Sequence, residues 1–196
     1  MRQADRLALL AVESGRSRGH GHESLCALVE ADVEEKLDLR LVPVTIPEGA
    51  NVIIGQTHFI KTVEDLYEIV VTTVPQARFG IAFNEASGAC LVRTEANDDD
   101  LRTAAVETAR AIGAGHVFVL VLRNAYPINV LNRIKDCPEV CHIYCATANP
   151  LQVIVAQSLQ GCGVLGVIDG AAPVNVEQDA DRQWRKDLLR KIGYKF

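Results

Sequence analysis

Several features common in proteins are missing from this chain of 196 residues. No apolar run approaches the roughly 20 residues that a membrane-spanning helix needs. The opening, "MRQADRLALLAVESGRSRGHGH", carries an apolar patch too short and too interrupted for a secretory signal. Base is not in excess either. The formal charge is -5, and Lys and Arg are spread along the chain, thickening only at the C-terminus, which argues against a nucleic acid as main partner. No G-x-x-x-x-G-K-[ST] occurs, so a P-loop is not the device by which any triphosphate would be held. There is no internal repeat, no low-complexity tract and no linker inside the body. These absences lead to the expectation of a cytoplasmic protein with neither membrane nor nucleic acid as partner. The six cysteines fit that compartment as free thiols.

What is present suffices for one substantial core, since 48% of residues are hydrophobic and 23% charged. The Gly-rich break "SGRSRGHGHES" between two short helix-like segments marks residues 1–36 as an N-terminal extension, leaving 37–196 as the domain. In the domain, "NVIIG" reads as a strand. Thr62 with Asp65 suggests a capping box opening a helix, and Val63, Leu66, Tyr67, Val70 and Val74 recur at helical spacing until Pro75. "RFGIAF" and "CLVRTE" read as strands, and "NDDDLRTAAVETARAIGAG" as a helix with acids in its first turn and Gly113 at its end. "HVFVLVL" is apolar on both faces, as a central strand should be. "YPINVLNRIKD" places Pro127 where a helix tolerates it. "VCHIYCA", "LQVIVAQ" and "GVLGVIDG" read as strands, and "DRQWRKDLLRKIGY" as a closing amphipathic helix packed on its apolar side. The expected class is α/β or α+β, a single domain with a mixed sheet packed by helices.

Chemistry is concentrated in the loops that follow strands. If the strands run parallel, "GQTHFIKT", "RNAYP" and "CATANP" gather at one sheet edge. Gln56, Thr57, His58, Lys61, Arg123, Asn124, Tyr126, Thr147 and Asn149 would then meet there, beside the free N–H groups of the helix starting at Thr62. A neutral imidazole next to a lysine in that setting can accept a phosphoryl group. Packing at a strand end is the other use open to His58. His116, flanked by Gly113 and Gly115, is its rival; on a parallel sheet it starts its strand at the edge opposite Arg123 and would join the site only across a subunit interface. His142 reads as structural, and His20 and His22 as solvated.

A metal centre is not expected. Cys137, Cys141 and Cys145 recur every four residues, but Cys141 and Cys145 on one strand face would stand about 13 Å apart, too far for one ion. "GCGVLG" fits G-x-G-x-x-G in letters only, because a strand follows it rather than a helix; a hairpin or bulge is the expected use of its glycines. Glu85 and Asp169 are the carboxylates available to orient a histidine or to hold a magnesium that accompanies a phosphoryl donor. No other cofactor is expected.

"NVIIGQTHFIKTVEDLYE", "FGIAFNEASG", "IGAGHVFVLVLRNAYPINVLNRIK", "ATANPLQVIVA" and "GVLGVIDG" strongly resemble the adenosine-specific kinase family, from about residue 39 to the C-terminus. The resemblance implies a small α/β protein that binds adenosine and AMP. It also implies a histidine carrying a phosphoryl group, with His58 and His116 both eligible, and assembly into a homo-oligomer, a trimer being favoured. A non-catalytic module that senses AMP or adenosine is the alternative. Phe59, Tyr126 and Tyr144 offer stacking area for adenine.

Overall fold

The structure, a computed structural model, describes residues 36–196. The proposed extension therefore lies outside the described residues except for Lys36, as do His20 and His22. The described residues form one compact unit.

Eight strands and four helices follow one another along the described residues. They are β1 (Asp38–Val44), β2 (Ala50–Thr57), α1 (Thr62–Thr73), β3 (Arg78–Asn84), β4 (Val92–Ala96) and α2 (Asp99–Ile112). Then come β5 (Val117–Arg123), α3 (Pro127–Lys135), β6 (Val140–Thr147), β7 (Leu151–Gln157), β8 (Cys162–Asp169) and α4 (Asp179–Lys191). The class is α+β. The strand directions differ from the mixed sheet expected: there are two sheets, β4-β3-β5-β2-β6 and β1-β7-β8, and every pairing within them is antiparallel. A single parallel bridge, Ala114 with Cys162, links the α2–β5 turn to the start of β8.

The continuous apolar run of β5 is that of a central strand buried on both sides, as read from the sequence, although its neighbours run antiparallel to it. The five-stranded sheet is covered on both faces, so β2 and β5 bury alternate residues on opposite sides. Ile53, Phe118, Leu120 and Leu122 meet α1 and α3 through Leu66, Val70, Val130 and Ile134. Val52, Ile54, Val117, Val119 and Val121 meet α2 through Leu101, Ala105 and Ala109, and the three-stranded sheet through Val42, Val153 and Val155. Gly80 lets α2 lie against β3: a Cβ there would stand 2.2 Å from the backbone nitrogen of Arg102.

Helix ends follow the chemistry read from the sequence, with one exception. Asp98 caps α2 by accepting from Leu101 N–H, and Gly113 ends it at φ 66° in the left-handed region. At α1 the capping box does not form. Thr62 is already inside the helix, its hydroxyl donates to the Phe59 carbonyl at 2.7 Å, and Asp65 turns to Lys61 instead. The glycines of "GCGVLG" serve the β7–β8 hairpin, whose register shifts opposite Ile154 and Val155. α4 departs from the expected packed helix: none of its residues is buried, and Trp184 is 66% exposed. No helix among the described residues is long and apolar enough to cross a membrane.

Candidate functional site

Antiparallel pairing redistributes the candidate residues. In the β2–β5 register Gln56 faces Val117 and Ala50 faces Arg123. The exit of β2 and the entry of β5 therefore share one end of the sheet. His58 and His116 both lie at that end within a single chain, so the subunit interface expected for His116 is not needed to bring it to the end that holds His58. Arg123, Asn124 and Tyr126 lie at the other end, together with Thr147, which pairs with Val52. One edge holding all the strand-following loops is not what this fold builds.

The histidine corner is laced by backbone. His116 N–H donates to Asn84 O at 2.7 Å, Thr57 N–H to His116 O at 2.9 Å, and His58 N–H to Glu139 O at 3.1 Å. These bonds fasten the ends of β3, β5, β2 and β6 to one another. The Thr57 hydroxyl, fully buried, also donates to Glu139 O at 2.8 Å and lies beside the Thr62 hydroxyl, whose own proton goes to Phe59 O. Glu139 thus supplies one carbonyl to two donors of the β2 exit, although sequence reading passed it over. It follows Pro138 in a polar turn, and nothing in its spacing distinguishes it from a solvated acid.

Within this corner the two imidazoles differ. His116 holds φ at 61°, which is uncommon for a residue with a side chain, and its ring lies parallel to that of Phe83 at 6.0 Å. His58 is exposed and stacks on Phe59 at 6.4 Å. Gln56, also exposed, accepts from the Tyr144 hydroxyl at 3.3 Å, and Tyr144 packs edge-on to His142 at 4.8 Å.

Lys61 is not idle. Its ammonium pairs with Asp65 at 2.5 Å and Glu139 at 3.0 Å, and these two hydrogen bonds, Asp65 first, raise its pKa. The same bond from Lys61, followed by one from the Cys137 thiol at 3.2 Å, holds Glu139 down to about 2. Burial pushes the Cys137 thiol up. Asp65, Cys137 and Glu139 bring their ligating atoms within 4.8 Å of one another, a cluster the cysteine spacing did not reveal. The Lys61 ammonium already supplies the positive charge those carboxylates attract.

Beside the corner, on the α2 side, lies a cleft of about 1010 Å³. Its walls are the β3–β4 loop with Glu85 and Leu91, the C-terminal turn of α2, and the β7–β8 hairpin; Gly115, the residue before His116, lies on its surface. Glu85 is clamped by Arg93 at 3.0 and 3.2 Å and accepts from Leu91 N–H at 3.1 Å, and that N–H chiefly lowers its pKa.

At the far end the groups serve turns. Asp169 accepts from Thr147 at 2.8 Å and Asn149 at 3.0 Å, tying the β6–β7 connection to β8. Tyr126 caps α3, its N–H donating to Asn129 at 2.8 Å, and Asn124 adopts φ 59°. Arg123 is half-buried with its Nε unpartnered.

No curated protein matches the chain. Among solved structures, the crystal structure of the PH1918 protein from Pyrococcus horikoshii OT3 is 48% identical, with a TM-score of 0.79 over 82% of this chain and 99% of that one. The family described as "Adenosine specific kinase" matches residues 42–195, from the middle of β1 to the penultimate residue. The chain is a member of the adenosine-specific kinase family.

Proposed function

We propose that the protein binds adenosine or AMP in the cytoplasm and acts as a phosphotransferase through a phosphohistidine at the corner of His58 and His116. The observation that carries this reading is the β2–β5 register, which brings both histidines and Lys61 to one end of the sheet. An imidazole nitrogen attacks the phosphorus of a donor, and the donor's P–O bond breaks as the N–P bond forms. The hydroxyl oxygen of adenosine then attacks that phosphorus, the N–P bond breaks, and the hydroxyl proton leaves to the freed imidazole or to water. Lys61 is the cation at hand to meet charge on the equatorial oxygens, at the cost of one of its carboxylate partners. Arg123, at the far end of the sheet, has no part in this step. Magnesium would enter with the donor, and Glu85 is the carboxylate near the corner able to meet it.

A homo-oligomer is part of the same reading. Two apolar surfaces lack cover among the described residues: the outer side of the three-stranded sheet, with Leu39, Leu41 and Leu165, and the Trp184 side of α4. A 13-residue helix without packing is marginal in water, so a second copy is the cover proposed.

Intact-mass measurement after incubation with phosphoryl donors tests the mechanism. The expected result is an acid-labile adduct of one phosphoryl group, lost in either His58→Ala or His116→Ala. Its persistence in both variants would defeat the phosphohistidine. AMP binding without any adduct would favour the sensor reading, which has its own motive in the absence of a triphosphate-binding motif.

A further inference from the structure

Among the described residues, only Glu139 is bonded to both His58 and Lys61. Its carbonyl accepts from the His58 N–H at 3.1 Å and from the Thr57 hydroxyl at 2.8 Å. Thr57 N–H in turn donates to His116 O at 2.9 Å, so the same carbonyl reaches the second histidine at one remove. The side chain serves the cation instead. One carboxylate oxygen meets the Lys61 ammonium at 3.0 Å, and the other accepts from the Cys137 thiol at 3.2 Å. Cys137 and Glu139 are both buried, so packing holds each in place. The thiol thereby fixes the carboxylate from behind and leaves its first oxygen to Lys61.

Asp65 does not share this role, although it also pairs with Lys61, at 2.5 Å. It stands four residues further along the chain, and its bond ties the ammonium only to its own helix. The link from Lys61 across to the β2 exit runs through Glu139. Lys61 is half-exposed, and a lysine left unheld samples many rotamers. A cation assists phosphoryl transfer only where it stands beside the developing charge, and a misplacement of about 1 Å is costly.

We propose that Glu139 is a positioning residue for the phosphoryl transfer: its carbonyl sets the backbone at His58, and its carboxylate sets the Lys61 ammonium. One residue thus fixes nucleophile and cation relative to each other. This rests on the phosphohistidine reading above and adds a residue to it. Glu139 touches no reacting atom. It acts through Lys61, so its loss is felt in the rate rather than in donor binding.

Rates of adduct formation on the full chain, followed by intact mass over a range of acetyl phosphate and then ATP concentrations, test it. Glu139→Gln keeps the carbonyl and the shape but removes the charge. It should lower the saturated rate at least about tenfold, with the half-saturating concentration unchanged. Asp65→Asn removes the same charge from the same ammonium and should change that rate by less than about threefold. In a Lys61→Met background Glu139→Gln should have no further effect, a coupling that a merely structural role would not produce. Thermal unfolding checks that each variant folds. If E139Q does not, Cys137→Ala, which releases the carboxylate from behind, takes its place with the same expected pattern. Equal rates in parent and E139Q, equal losses in E139Q and D65N, or an undiminished effect of E139Q without Lys61 would overturn the positioning role and leave the phosphohistidine intact. No adduct on the parent with either donor would overturn the phosphohistidine reading, and the positioning role with it.

Discussion

The two ends of the five-stranded sheet use the same strands but hold their polar groups differently. At the far end the bonds close turns: Asp169 collects Thr147 and Asn149, and Tyr126 and Asn129 close the start of α3. At the histidine end the bonds run between segments distant in sequence, Thr57 to His116 and His58 to Glu139, and they are made by backbone. Side chains used for turns are spent; side chains on a backbone-laced corner stay available. Both ends also have side-chain-bearing residues at positive φ, Asn124 at one and, at the other, His116 together with Cys90 in the β3–β4 loop. Asn adopts that conformation readily, whereas for His it is uncommon, and such backbone cost tends to persist where function needs it.

This contrast is open to measurement, and glycine replacement should give the largest effect. A Cβ on Gly55, in the histidine half of β2, would stand 2.5 Å from the His142 carbonyl and 2.6 Å from the Phe118 ring. Gly55→Ala should cost about 3 kcal/mol in urea unfolding. Gly49, just before β2 at the far end, has φ 70° and open space, so Gly49→Ala should cost only about 1 kcal/mol. Equal costs would mean that the histidine end is no more tightly built than the other.

Thr57→Val comes next. It keeps the shape but removes one of the two donors to the Glu139 carbonyl and the polar neighbour of the buried Thr62 hydroxyl, for about 1.5 kcal/mol. A loss below about 0.5 kcal/mol would show that the β2 exit does not depend on this link.

The left-handed pair gives a smaller, divided effect. His116→Gly and Asn124→Gly should each leave stability within about 1 kcal/mol of the parent, because relief of the backbone offsets the absent side-chain packing. Only the first should affect phosphoryl labelling. Labelling changed by the second would place chemistry at the far end as well.

The smallest effect is electrostatic. Glu139 is held at about 2, below the usual glutamate range, by Lys61 and then Cys137. A carboxyl depressed on folding adds stability above its unfolded pKa and loses it as pH falls toward the folded value. The stability gap between the parent and Glu139→Gln should therefore be constant near neutrality and close between pH 4.5 and about 2. A gap that does not change over that range would show that Glu139 acts through its shape rather than its charge.

Much of the fold could be read from the residues. Capping by Asp98, the Gly113 stop, Pro127 in the first turn of α3 and the double-faced β5 rest on local rules, which tertiary packing did not overturn. Strand direction could not be read, because burial on two faces gives the same apolar run in either orientation. The assembly of the candidate site failed with it: the distance from His58 to Arg123 or His116 depends on direction alone. Asn84 and Glu139 escaped notice for a related reason, since each matters through partners 25 or more positions away that no spacing rule reaches.

The order of strands also sets how the chain can reach this form. In the five-stranded sheet only β3 and β4 are neighbours in sequence. β2, apolar on both faces, must wait for β5 and β6 to be made before either of its edges is covered. Pairings between distant segments close slowly, since the intervening chain must first be confined. A growing chain therefore carries "NVIIGQT" as an unpaired, sticky ribbon through much of its synthesis, a hazard of the same kind as an open sheet edge. Slow refolding and a tendency to aggregate before β5 arrives are built into the topology that brings His58 and His116 to one end of the sheet.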